Sequence, residues 1–386
     1  MKNAAEPTRP RTRLPHVLAT LFGLAIVFVS LEPFSPWLPP PPGTPFFLFA
    51  PTPARWLRYD TLLNVLAYVP FGLFVALLRR GATPAQRVLD AAIIGAAMSF
   101  AMESLQMYVP PRVASAMDLA ANAIGAALGG LAAAALARSN ARDTIYRARA
   151  RLILPGYLGD IGLALLLLWL VAQTNPGIPL FAVTFDSDPV APAAIAAVPP
   201  SPPIALAQPP APDVSEAAHE KTDAGVQAAG AGFQMLGVGL FTALLLRRHR
   251  RTGTIVLALI AGALAVKSIA ALILLKPAVW ESWLRPGTLI GIAAGAVALR
   301  IALALPRPVQ VAACAVALLS SLGAPVLAPE LLTARAPLAL FDWHHGQLLN
   351  FNGLTRTALL VWPILTAAWL FVLAGRPAWG KPAEPA

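Results

Sequence analysis

The chain has 386 residues, 57% apolar and only 12% charged, with a formal net charge of +11 and one cysteine. Soluble domains average about 45–50% apolar and 25% charged residues, so this composition excludes an ordinary soluble domain and points to a membrane protein. The lone cysteine, Cys314, excludes a disulfide framework and a cysteine-rich metal site; inside an apolar run it reads as a small core hydrophobe.

A hydrocarbon core calls for about 17–25 apolar residues per helix. Ten stretches approach this, at about 15–31, 61–78, 89–108, 118–137, 158–173, 230–246, 254–275, 288–305, 309–328 and 358–374. The predicted fold class is therefore all-α, a polytopic transmembrane helix bundle of about ten spans. Residues 1–31 have a basic start and an apolar stretch, but no small-residue cleavage pattern follows, so an uncleaved first helix is expected.

The basic residues fix an orientation. With the N-terminus inside, inner segments carry 20 basic residues, among them Arg79, Arg80 and Arg87, Arg138 to Arg151, and Arg247 to Arg251. Outer segments carry eight, and Lys267 falls inside a span. Cytoplasmic loops are the ones enriched in lysine and arginine, so both termini are expected in the cytoplasm. The high charge is a topology signal, and no nucleic-acid partner is expected. A bacterial inner (cytoplasmic) membrane, crossed many times, is the expected location.

Two outer segments are rich in proline. Residues 33–53 mix proline with aromatics and are expected to pack on the mouth of the bundle or at the interface. Residues 174–229 hold eleven prolines and many alanines, and read as an extended external linker. That stretch divides the chain into an N-terminal membrane unit, 1–173, and a C-terminal one, 230–386, of about five helices each.

Chemistry concentrates between Asp60 and Gly129. The run reads Asp60–x3–Asn64–x5–Pro70–Phe71–Gly72, then Glu103–x2–Gln106–x5–Arg112–x5–Asp118–x3–Asn122–x2–Gly125–x3–Gly129. Asp60 and Asn64 share one helix face, as do Glu103 with Gln106 and Asp118 with Asn122. At 1.5 Å per residue, Asn64, Glu103 and Asn122 all lie about 5–8 Å below the outer boundary. Polar groups in lipid-buried helices are costly unless they face partners or a water-filled cavity, so the convergence reads as a site. Arg112, in the short connection above it, is placed to cap the acids. Structural alternatives stay open: Asp60 and Asp118 also suit helix starts, and the amides also suit interhelical packing. Pro70 is expected to kink its helix, and the Gly125–Gly129 pair to allow close helix approach.

A second polar stretch, Asp342–Trp343–His344–His345–x–Gln347–x2–Asn350–x–Asn352, lies on the outer side. Its adjacent histidines point apart on a helix, and no zinc-binding spacing exists in the chain. No metal site is expected and no cofactor, although a divalent cation among the acids is left open. Phosphate-binding loops and hydrolase elbows are absent as well.

The pattern Asn64, Pro70–x–Gly72, Glu103–x2–Gln106, Arg112, Asp118–x3–Asn122–x2–Gly125–x3–Gly129 resembles the VanZ-like membrane domain, over roughly residues 15–140. The family often carries a further acidic residue after the arginine, where this chain has Ala114, Ser115 and Ala116. The resemblance implies a role in the bacterial cell envelope, linked to glycopeptide antibiotic resistance. The leading expectation is a protein that binds, and modifies or hands over, a lipid-linked cell-wall or polysaccharide precursor at the outer leaflet, with membrane lipids as its other partners. Glu103 and Asp118 are the catalytic candidates, Glu103 as general acid or base; Asp60, Asn64, Gln106, Arg112 and Asn122 are the ligand-binding candidates. Whether any reaction is catalysed is left open. A non-catalytic membrane scaffold with a structural polar cluster, or a transporter, is the alternative.

Overall fold

The computed structural model describes residues 12–50, 58–79, 81–110, 112–175, 214–247, 252–274, 284, 286–327 and 346–376. Eleven helices and no strand occur among the described residues: α1 (Leu14–Leu31), α2 (Arg58–Leu78), α3 (Pro84–Gln106), α4 (Ala116–Arg138), α5 (Asn140–Leu152), α6 (Gly156–Ala172), α7 (Val214–Leu245), α8 (Thr252–Leu274), α9 (Pro286–Ala302), α10 (Arg307–Leu327) and α11 (Gly346–Ala374). Each of the ten expected apolar stretches falls on one of these helices. Seven have the length and composition of a membrane crossing, while α6, α9 and α10 are apolar but shorter. Large apolar side chains such as Leu62, Leu89, Ile93, Ile124 and Leu131 line the outside of α2, α3 and α4. That surface suits lipid and not water.

Two helices differ from the sequence expectation. The basic segment after α4 was expected as a loop and forms α5, with Asp143 in its first turn and Arg149 and Arg151 in its last, which suits the helix dipole. Helix α7 starts at Val214, inside the stretch expected to be extended, because the chain there turns from proline to alanine, glutamate and glutamine. Residues 176–213, which hold the prolines of that stretch, lie outside the described residues.

The described residues fall into two compact units. One comprises Met1–Val171 with Leu245–Thr252 and His344–Thr355; the other comprises Ala172–Leu244, Gly253–Trp343 and Arg356–Ala386. In the second unit, Gly287, Gly291 and Gly295 form a stripe on α9 that sits against the α7 backbone at Ala224, Ala228 and Gly232. Phe241 on α7 meets Trp362 and Trp369 of α11 edge-on, with centroids 5.8 and 5.1 Å apart. Cys314 is fully buried, its thiol 3.4 Å from the Gly237 carbonyl oxygen, in keeping with a core role.

The first unit carries the polar pattern. Helix α3 begins with a reciprocal cap: Thr83 Oγ1 accepts from the Gln86 amide, and Gln86 Oε1 accepts from the Thr83 amide. Helix α2 stays continuous through Pro70. Helix α4 lies close against α2 because Gly125 and Gly129 leave no side chain between them. A methyl at either would run into the carbonyl oxygen of Val65 or Val69, the close approach expected of such a glycine pair. Ile26, Leu31, Tyr68, Phe71, Val75, Met102 and Ala126 form the core between α1, α2, α3 and α4.

Candidate functional site

The unit has two chemically distinct ends. At one end the buried Arg87 on α3 donates to the Ala76 carbonyl of α2 at 2.7 Å, and α4 finishes at Arg138 before the arginines of α5. At that end too, Asp160 in the first turns of α6 accepts from Thr12 Oγ1 at 2.7 Å, from the Arg13 amide at 2.8 Å, and from Arg149. At the other end α1 and α3 finish while α2 and α4 begin, and there the polar pattern gathers.

Asn64 on α2 donates to Asp118 Oδ1 on α4 at 2.5 Å. Glu103 on α3 is 4% exposed, and its Oε2 accepts from the Ser115 amide at 2.8 Å. Ser115 is the N-cap of α4, its hydroxyl accepting from the Met117 amide at 3.2 Å. Capping is thus done by Ser115, which frees Asp118 to reach across to α2. Glu103 and Asp118 lie near one another.

One helical turn deeper each helix contributes again. Asn122 (α4) donates to Ser99 Oγ (α3) at 2.9 Å, and Tyr68 (α2) sits beside Ser99 within the field of Glu103. Two of these atoms lack a hydrogen-bond partner while fully shielded: Asn122 Oδ1 and the Tyr68 hydroxyl, which lies near Ser99 without meeting hydrogen-bond geometry. A further turn down, Gly72 of α2 and Gly95 of α3 both press on Ala126 of α4, leaving no room for a side chain at either glycine. Each helix therefore steps by four residues through the same three layers: 64, 68 and 72 on α2; 103, 99 and 95 on α3; 118, 122 and 126 on α4. Two layers are polar and the third is dry.

The sequence candidates separate into two groups. Asn64, Glu103, Asp118 and Asn122 come together as expected. Gln106 and Arg112 do not join them. Gln106 Nε2 donates to the Ser30 carbonyl of α1 at 3.0 Å. Arg112 donates through Nε to the Glu32 carbonyl at 3.0 Å and through its terminal nitrogen to Val29 at 2.9 Å and Glu32 at 2.5 Å. The expected arginine cap on the acids is therefore replaced by a cap on the last carbonyls of α1, where a cation suits the helix dipole. Burial holds the Arg112 guanidinium below its ordinary range, opposed by the nearby Glu32 carboxylate. Asp60 lies on the first turn of α2, and its side chain is outside the described residues.

Three further features frame the site. The proline–aromatic segment packs over the mouth as expected: Leu38 N donates to the Tyr108 carbonyl at 2.9 Å, and Phe47 lies 5.7 Å from Phe100 of α3. Glu32, at the end of α1, faces Gly353 of α11 so closely that any side chain there would meet its carboxylate. Of the second polar stretch, Asp342 to Asn350 lie outside the described side chains, while Asn352 is buried. Lys267 belongs to the other unit, where its buried ammonium donates to the Asn175 carbonyl at 2.8 Å. No group of three or more metal-ligating side chains occurs among the described residues.

Tyr68 and Ser99 escaped the sequence reading. A signal for both existed: Tyr68 lies four residues after Asn64 and Ser99 four before Glu103, on the same faces. Searches of curated proteins and of solved structures give no match for this chain. Residues 11–137, the stretch that builds α1 to α4 and every layer of the site, match the VanZ/LLP1 family, so the chain carries a VanZ-like domain in that segment.

Proposed function

We propose that the VanZ-like domain binds the polar group of a lipid-linked envelope molecule at the outer leaflet of a bacterial inner membrane, for handing over within the envelope. The three-layer arrangement carries this reading. Its upper polar layer, with Asn64 and Asp118 only partly buried, lies at the mouth of the bundle; its lower polar layer ends on the dry Gly72–Gly95–Ala126 contact. Polar layers at the mouth with a dry contact beneath them suit an amphiphile whose head enters from the membrane surface while its chains stay in lipid. It suits passage across the membrane less, which lowers the transporter alternative. The arginines at the opposite end support the outer-leaflet placement. The VanZ resemblance adds the link to the cell envelope and glycopeptide resistance.

The test compares lipids retained by the purified full-length protein, wild type beside Glu103→Gln, by native mass spectrometry. Loss of one envelope lipid class in the variant is the expected result. Identical lipid profiles would overturn the proposal and leave the scaffold reading, which the Asn64–Asp118 and Asn122–Ser99 bonds favour because each ties two helices together. The scaffold reading has its own signature: Glu103→Gln and Asp118→Asn lower melting temperature in detergent and change no bound lipid.

A further inference from the structure

The atoms that the two polar layers leave unsatisfied define what they would take. Glu103 is buried, accepts one backbone N–H, and meets no cation among the described residues. Asn122 Oδ1, on a side chain 6% exposed, is an acceptor without a donor. The Tyr68 hydroxyl, on a side chain 4% exposed, has no hydrogen-bond partner and lies in the same layer. Arg112, the cation that would have made this end suitable for a phosphate, is committed to the carbonyls of Val29 and Glu32. A buried carboxyl with spare acceptor capacity, set one helical turn above an unsatisfied amide oxygen, disfavours a phosphate and favours a group that brings positive charge and N–H donors together.

Resting on the binding reading above, we infer that the group recognised is a primary ammonium carried on an amphiphile, held between the Glu103 carboxylate and Asn122 Oδ1. An ammonium has three donors in a compact volume. One meets Glu103 and one meets Asn122 Oδ1, with the Tyr68 hydroxyl beside them. A quaternary ammonium supplies the charge without donors, and a glycerol head supplies donors without the charge. Neither satisfies both groups.

These distinctions set the experiment. Full-length protein, delipidated in detergent, is offered equal amounts of phosphatidylethanolamine, phosphatidylcholine and phosphatidylglycerol with matched chains. Retention is read by native mass spectrometry. Since a hydrogen bond to a charged group is strong, phosphatidylethanolamine is expected to be retained about tenfold over both others. Glu103→Gln and Asn122→Ala should each remove that preference. Ser104→Ala, one residue from Glu103 but with its hydroxyl donating to its own helix at Phe100, should keep it. Equal retention of phosphatidylcholine would overturn N–H recognition, and preference for phosphatidylglycerol would overturn the ammonium. Soluble ethanolamine in excess should not displace the lipid; full displacement would overturn the amphiphile. If Glu103→Gln fails to fold, the three-lipid comparison on the wild type still decides. A polyprenyl pyrophosphate added to the panel separates the two proposals. Dependence of that lipid alone on Glu103 upholds the binding reading and overturns the ammonium, whereas no Glu103-dependent lipid of any kind overturns both.

Discussion

Two buried carboxylates stand at opposite ends of the N-terminal unit, Glu103 at 4% exposure and Asp160 at 1%. Asp160 is saturated: a hydroxyl, a backbone amide and the Arg149 guanidinium all donate to it, fastening the start of α1 and the end of α5 to α6. Glu103 takes a single backbone amide and sits above two unpartnered polar atoms. Burial alone therefore does not mark a site. A saturated acid is a joint, whereas an acid with spare acceptor capacity among unsatisfied neighbours has room for a further donor.

The sharpest way to break this contrast is to remove each acid in turn. Asp160→Ala strips the partner from a nearly buried Arg149, a loss that typically costs about 3–5 kcal/mol. A large fall in detergent melting temperature is the expected outcome. Glu103→Gln keeps shape and removes a poorly paired carboxyl, so its melting temperature should move by the equivalent of about 1 kcal/mol or less, in either direction. Equal losses in the two variants would mean that Glu103 is also a joint.

The dry floor beneath the site gives the next effect. Gly72→Ala places a methyl where the Ala126 backbone already lies, and overpacking of this kind costs about 1–3 kcal/mol. A melting temperature equal to wild type would show that the floor yields, and polar layers above a dry contact would no longer describe the bundle. Tyr68→Phe should act in the opposite sense. Because the hydroxyl it removes has no hydrogen-bond partner, stability should stay level or rise by about 1 kcal/mol. A clear fall would place a donor or acceptor on that hydroxyl and weaken the contrast with Asp160.

Much of this was legible in the sequence, for a physical reason. Helical spacing is rigid, so Asp118 and Asn122 had to share a face of their helix, and alternating membrane crossings had to bring Asn64, Glu103 and Asn122 to one depth. Gly125 and Gly129 likewise foretold a close helix approach, which the structure shows to be made with α2. What stayed hidden depends on backbone partners. Gln106 and Arg112 donate to carbonyls of Ser30, Val29 and Glu32, and a carbonyl carries no residue signature. Arg112 therefore read as a cap for acids when its partner is a helix end. Asp160 was equally hidden, because its donors come from Thr12 and Arg13, far away in sequence. Tyr68 and Ser99 were missed because a tyrosine or serine in an apolar helix looks ordinary until its neighbours are known.

Glu32 offers the smallest and most specific test, because it separates the α1 fastening from the polar layers. Burial raises its carboxyl above the ordinary value of 4.5, and Arg112 only partly offsets this. The sign follows from linkage: with the folded pKa above the unfolded one, the native state binds the proton more tightly. That contribution is fully present below pH 4.5 and is lost as pH rises through the folded value, so the wild type should lose stability across this window relative to Glu32→Gln. Since the group is only half-buried, solvent screens the effect, and a slight divergence of the two melting-temperature curves is expected. Glu32→Gln should leave lipid retention unchanged, because the carboxyl faces Gly353 and the Arg112 bonds are made to the backbone carbonyl. Parallel curves would show that burial does not perturb this acid, and a changed lipid profile would join the end of α1 to the polar layers around Glu103.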